Sequence, residues 1–369
     1  MTDRKIRFAV VGLGHIAQVA VLPGFKHARH AELVALFSDD PTKLAEVGDR
    51  YDVAGRYGYD AFDAVLSQGG IDAVYVALPN HLHREFTVRA AERAVHVLVE
   101  KPMAVDETEC RAMIDAAMTH RVKLMVAYRL HFDRATREAI EIVRDGRLGS
   151  PRVFSSMFSQ NVVAGNVRLV PVARGGGPVY DMGVYCINAA RSLLRDEPTE
   201  VYARAASTDD PRFRDSPEMV TATLSFPGDR LATFVCSFGA ADSSRFEVIG
   251  DEGRLVMEPA YEYAEGLRYR VEKDGETEQF ERFGKHDQFG AELEYFAKCI
   301  LNDEEVEPSG LEGLADVQIV RAIHRSIDER RVVAIAPIRS VARPELAPVI
   351  EMPGVRKPQT VNTTSPSGD

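Results

Sequence analysis

Ile6–Ala17, IRFAVVGLGHIA, is the stretch whose reading decides the fold. An apolar run ends in Gly12, and Gly12, Gly14 and Ala17 then form G-x-G-x-x-A where the pattern starts a helix. Such glycines permit a tight turn and let the backbone approach a pyrophosphate, while the helix N-terminus supplies N–H groups and positive potential. Alone the motif is weak. Placed after an apolar strand and before a second strand at the right distance, it points to dinucleotide binding. Gly12, Gly14, His15 and Ile16 are the first candidate cofactor contacts.

Working outward, ELVALFSDD, IDAVYVALP, VHVLVEKP and VKLMVAYR follow as further apolar runs, separated by helical patterns such as DETECRAMIDAAMTH. Strands buried on both faces read as unbroken apolar runs, and alternation with helices implies parallel βαβ units. The reading is an α/β doubly wound sheet over residues 1–127. Ligands bind such sheets at the carboxyl ends of the strands, so the residues found there are the candidates. The second strand ends in Ser38, Asp39 and Asp40. An acid there reads the ribose of NAD, whereas Ser38 with nearby Lys43 accepts the 2′-phosphate of NADP. NADP is the preferred expectation and NAD the alternative. The third run ends in Asn80, followed by His81 and His83. Asn80 and His83, like Glu100, are expected beside the cofactor. The H-x-H spacing has no matching carboxylate or cysteine cluster, so no metal is expected. Glu100, Lys101 and Pro102 close the fourth run, and a lysine there points into the ligand crevice.

From Pro151 onward the texture changes. PRVFSSMFSQNVV, EVYARAAST, MVTATLSF, RLATFVCSF, SRFEVIG and RLVMEPAY are strand-like, and Pro-Gly-Asp and Asp-Glu-Gly turns separate two pairs of them. Consecutive hairpins build an antiparallel sheet, so residues 128–341 read as an α+β domain for substrate and oligomer contacts. Two further helices, DQFGAELEYFAKCILN and LEGLADVQIVRAIHRSIDER, can pack back on the first domain. The tail, residues 342–369, is rich in Pro, Ser and Thr and reads as extended or disordered.

The 369 residues fit two domains comfortably, and a net charge of −11 argues against a nucleic-acid binder, which needs a basic stripe. No apolar run is long enough to span a membrane. Four scattered cysteines form no C-x-x-C pair. They suit buried reduced thiols, and the expected compartment is the cytoplasm.

Gly175–Leu193, GGGPVYDMGVYCINAARSL, carries an aspartate and a tyrosine four residues apart among small and apolar neighbours. Together with G-x-G-x-x-A, Glu100-Lys101-Pro102 and YRLHFDR at Tyr128–Arg134, it resembles the glucose–fructose oxidoreductase and inositol dehydrogenase (Gfo/Idh/MocA) family, nearest its glucose–fructose oxidoreductase-like sugar dehydrogenases. The resemblance covers most of residues 5–335. It implies an N-terminal Rossmann domain, an open-faced, mainly antiparallel second sheet, and a homodimer or homotetramer built through that sheet. It also implies a nicotinamide-dependent oxidoreductase acting on the CH–OH of a sugar or polyol. Lys101, Asp181 and Tyr185 fall on the family's catalytic positions. Histidine replaces the tyrosine in inositol-dehydrogenase-like members.

The residue types suit the chemistry. A base must remove the hydroxyl proton as hydride leaves carbon, a kind of help worth about 10²–10⁴-fold. Tyr185 is the expected proton carrier and Lys101 its electrostatic partner, since a neighbouring opposite charge favours an ionised phenol. Asp181 orients substrate or Lys101, or is simply an acid favoured by a helix N-terminus. Arg129, His131 and Arg168 are expected near the same cleft, Arg129 beside cofactor and substrate and Arg168 beside substrate. Two other readings stay open: an NAD-dependent glycoside hydrolase of the same fold, and a non-catalytic NAD(P)-sensing regulator.

Overall fold

The computed structural model describes residues 4–336, 338 and 349–368. The expected boundary near residue 341 lies outside them. Six parallel strands form the first sheet: β1 (Ile6–Val11), β2 (Ala31–Phe37), β3 (Gly55–Tyr57), β4 (Ala73–Val76), β5 (His96–Glu100) and β6 (Leu124–Ala127). Their spatial order is β3-β2-β1-β4-β5-β6, so the direction of winding reverses between β1 and β4. That reversal opens a crevice beyond the carboxyl ends of the strands. β4 is fully buried and β1 nearly so, as their apolar composition requires. Side-chain carboxylates start the neighbouring helices: Asp40 accepts from the amides of Thr42 and Lys43 at 2.9 and 3.1 Å, and Asp106 from that of Glu109 at 2.9 Å. Each satisfies backbone donors that a helix end otherwise leaves open.

The second sheet has nine strands: β7 (Pro151–Ser159), β8 (Glu200–Ala206), β9 (Met219–Phe226), β10 (Arg230–Ser237), β11 (Ser243–Gly250), β12 (Arg254–Met257), β13 (Arg268–Lys273), β14 (Glu276–Arg282) and β15 (Val333–Ala334). Their order is β14-β13-β12-β11-β7-β10-β9-β8-β15. The hairpins read at Pro-Gly-Asp and Asp-Glu-Gly are β9–β10 and β11–β12. A third, β13–β14, turns at Asp274-Gly275, where both residues have positive φ. β7 departs from a simple meander, inserting centrally and pairing in parallel with β10. One face is covered by the helices Val184–Leu194 and Gly310–Glu329, whose Ile187, Ile319 and Ile323 join Val201, Leu224 and Phe234 in one core. The opposite face leaves Tyr202, Leu231, Ile249 and Phe280 exposed.

The chain then returns. Helix Gln288–Asn302 lies beneath the first sheet, where Phe296 packs against Phe8 with ring centres 6.2 Å apart. The described part of the tail, residues 349–368, has neither helix nor strand, yet Met352, Val361 and Ser365 are buried.

One polar cluster crosses the second core. Arg191 is fully buried and donates to Glu197 at 2.7 Å, to Asp316 at 2.5 Å and to Glu312 at 3.1 Å. Removing the cation would strand Glu312 and Asp316 without a counter-charge in an apolar interior. Arg191→Met is therefore expected to lower unfolding free energy by about 3–5 kcal/mol, read as a reduced denaturant midpoint; an unchanged midpoint would show that the cluster does not stabilise the fold.

Candidate functional site

The carboxyl ends of β1, β2, β4, β5 and β6 and the inner end of β7 border a single cleft of about 770 Å³. At its nucleotide end, Gly12 has φ +97° and a Cβ there would meet the Ala77 carbonyl oxygen at 2.6 Å. A Cβ at Gly14 would meet nothing within 4 Å. The first glycine thus serves the turn, whereas the second leaves open space above the backbone, as close approach of a pyrophosphate requires. These residues fit a dinucleotide. His15, Ile16, Ser38, Asp39, Lys43 and Asn80 border the same space. Ser38 is buried and accepts from the Asp40 amide at 3.1 Å, while Asp39 is exposed.

His83 falls elsewhere than expected. Its ring is fully buried behind the wall, with Nε2 2.7 Å from the Leu78 carbonyl and Nδ1 3.0 Å from that of Pro102. Burial holds its pKa below the ordinary value, so the neutral ring donates from one nitrogen at a time and braces the wall without facing the cleft. His131 is likewise placed away from the cleft, with Nε2 2.9 Å from the Asn188 side-chain oxygen. His81 meets Arg174 at 2.7 Å. Among the described residues no group of three or more His, Cys, Asp or Glu side chains could hold a metal.

At the reacting end, Lys101 follows β5 and its peptide to Pro102 is cis. Its Nζ donates to the Asp181 carbonyl at 2.9 Å and to the Asp181 carboxylate at 3.2 Å. Arg168 Nε donates to the other carboxylate oxygen at 2.8 Å. Burial opposes ionisation of Asp181, but the charges of Arg168 and Lys101 outweigh it and hold the carboxyl well below the usual carboxylate range. Burial also works against the Lys101 ammonium, yet Tyr185, Asp181 and Glu100 overcome it and raise the lysine's pKa. Lys101 is therefore an ammonium at neutral pH. Glu100 lies just beneath, accepting from the Tyr75 hydroxyl at 2.9 Å, its own pKa raised by burial.

Tyr185 sits between two cations. Lys101 Nζ lies 4.5 Å from its ring centre, and Arg129 Nε donates to its hydroxyl oxygen at 3.2 Å. Arg129 is buried, and its other hydrogen bonds go to Gln288 at 2.5 Å and to the carbonyls of Tyr261 and Glu262 at 2.6 and 3.2 Å. With four of five donors engaged, it is placed to orient Tyr185, with little left for a ligand. Asp181 belongs to a turn of π-helix, Val179–Gly183, and regular α-helix begins only at Val184. The pair therefore does not share one regular helix face, but the wider turn still lets both side chains meet Lys101.

The three glycines before this turn answer to the protein itself. A Cβ at Gly175 would meet the Asn80 side chain at 2.7 Å, and one at Gly176 would meet the Val170 carbonyl oxygen at 1.7 Å. Asn80 Nδ2 donates to the Gly175 carbonyl at 2.7 Å, tying the loop to the nucleotide domain. Sequence reading missed Phe158, Gln160, Tyr263 and the tail residues Thr363–Ser367, all of which border the cleft. Gln160 had a signal, a polar residue directly after a strand. Tyr263 and the tail lie in irregular backbone, where periodicity gives none.

Comparison with known proteins agrees with this geometry. Residues 6–128 match the oxidoreductase family described by its NAD-binding Rossmann fold, and residues 136–256 match the GFO/IDH/MocA C-terminal domain. The chain is 30% identical over 341 residues to D-xylose 1-dehydrogenase [NADP(+)] of Haloarcula marismortui, covering 90% of this chain and 94% of that protein. The crystal structure of aldose-aldose oxidoreductase from Caulobacter crescentus complexed with glycerol superposes with a TM-score of 0.84 at 35% identity, covering 90% of this chain and all of the other. A 3-ketoreductase from Actinomadura kijaniata in complex with NADP and TDP-benzene gives 0.80 at 26% identity, covering 88% of this chain and 98% of the other. From its glycine turn to its open sheet, the chain belongs to the Gfo/Idh/MocA family of nicotinamide-dependent oxidoreductases.

Proposed function

We propose that the protein is an NADP(H)-dependent sugar oxidoreductase, exchanging hydride with a carbinol carbon of an aldose, its lactone or a related polyol. The observation that carries this reading is the Tyr185 phenol held in the cleft between Lys101 and Arg129. The xylose dehydrogenase and ketoreductase relatives support both the sugar and the choice of NADP. When bound, the cofactor supplies or accepts the hydride. Gly12, Gly14, His15 and Ile16 would hold its pyrophosphate, and Ser38 with Lys43 the phosphorylated ribose.

The chain's own residues move the proton. In the reducing direction, the Tyr185 hydroxyl gives its proton to the substrate oxygen, and the phenolate left behind rests beside the Arg129 and Lys101 charges. Oxidation runs the same transfer backwards. Lys101, kept protonated by its anionic neighbours, also donates toward the substrate oxygen as negative charge develops there, a placement that counts most in a cleft poor in water. Asp181 positions Lys101, and Arg168 keeps Asp181 charged. We further assign the outer face of the second sheet, where Tyr202, Leu231, Ile249 and Phe280 are exposed, as the interface of the homodimer or homotetramer that the family resemblance implies. Four buried, unpaired cysteines favour the cytoplasm.

Lys101→Met is expected to cut turnover at least about 10³-fold while NADPH still binds, measured by steady-state kinetics beside fluorescence titration; undiminished turnover would sink the mechanism. In Asp181→Asn one of the anions that raises the lysine's pKa is gone, so Lys101 loses its proton at lower pH. The alkaline limb of kcat/KM should accordingly move toward acid, and an unmoved limb would remove Asp181 from this role. For the interface, Leu231→Glu combined with Ile249→Glu should reduce the solution mass seen by light scattering.

A further inference from the structure

The last stretch of the chain does something its composition hides. Gln18, 1% exposed, stands one turn into the helix that follows the dinucleotide loop. Its side-chain amide closes a two-way bond with the backbone of Val361: Nε2 donates to the Val361 carbonyl at 2.9 Å, and Oε1 accepts from the Val361 N–H at 2.8 Å. The same Nε2 donates to the Leu13 carbonyl, inside the loop, at 2.9 Å. One residue later, Asn362 donates to Asp40 at 3.0 Å, the carboxylate that caps the helix carrying Lys43. At its far end the segment crosses to the second domain, where the Val163 N–H donates to the Pro366 carbonyl at 2.9 Å and Gln160 Nε2 to Ser367 Oγ at 3.0 Å.

Between these anchors Thr363, Thr364 and Ser365 border the same cleft as Ser38, Asp39 and Lys43, directly after the Asn362 contact to Asp40. Lys357 borders it too, and no carboxylate occurs between Met352 and Gly368. Hydroxyl donors and two lysines bordering one cleft are the chemistry that receives a phosphate monoester. A buried glutamine that ties this irregular segment to the dinucleotide loop points the same way, because ordering such a segment costs backbone entropy with no helix or sheet in return.

We propose that Lys357–Ser367 is part of the cofactor site, a strap across the adenosine half of NADP whose Lys357, Thr363 and Thr364 meet the 2′-phosphate. This rests on the NADP reading above and extends it to residues more than 300 positions from the glycine loop. NADPH and NADH affinities would be titrated by fluorescence for the intact chain, a chain ending at Arg356, and the full-length variants Val361→Pro and Thr363→Ala/Thr364→Ala. Val361→Pro removes the donor to Gln18 but also alters a side chain packed in the nucleotide domain's core, so Thr363→Ala/Thr364→Ala is the variant that leaves that packing intact. The expected result is that the ratio of NADH to NADPH dissociation constants falls at least tenfold in each. A ratio within twofold of the intact chain's in the full-length variants overturns the strap, even if the shortened chain does not fold. An intact chain that binds neither nucleotide, or prefers NADH, overturns the underlying cofactor reading instead.

Discussion

A carboxylate with cations on both sides organises the cleft. Asp181 lies 3.2 Å from Lys101 and 2.8 Å from Arg168, and the three residues come from β5's carboxyl end, the loop after β7 and the π-turn. Without Asp181, Lys101 and Arg168 would be two partly buried like charges in one cleft, with only a backbone carbonyl left to the lysine. With it, the lysine is held as an ammonium under the tyrosine ring. The two sheets thus meet through a charged contact at the cleft as well as through the apolar core that Val184, Leu314 and Val317 share with the first sheet. A pair of this kind adds little net stability, because desolvation offsets most of the attraction. What it contributes is a fixed arrangement.

The second constraint is topological. Each parallel strand of the first sheet ends on the same side, so residues widely separated in sequence (Gly12, Ser38, Asn80, Lys101 and Arg129) arrive at one edge. Strand order decides which of them face the crevice. A helix from the second domain then closes over that edge.

These two constraints explain what was legible in the sequence. Apolar runs with a period set by burial revealed the first sheet, and Gly12, Ser38 and Lys101, each directly after such a run, lie at the cleft. Lys101 was marked by its strand end and Asp181 and Tyr185 by the glycine run before them, but their catalytic roles came from the family resemblance. His83 and His131 misled for a physical reason: residue type and nearness to a strand end do not say which way a side chain turns, and both rings face inward to backbone or side-chain oxygens. The insertion of β7 beside β10 was invisible, since a parallel neighbour leaves no mark on local hydropathy. The tail was hidden for the opposite reason. Its order comes from single hydrogen bonds to Gln18 and Asp40, which a Pro- and Thr-rich composition cannot announce.

The bond from Asn80 to the Gly175 carbonyl bears on how such an enzyme can diversify. It fastens the loop on the substrate side to the wall on the nucleotide side, and the missing Cβ of Gly175 leaves no room to shift one against the other. Changes at Asn80 or in the glycine run are felt on both sides of the cleft at once.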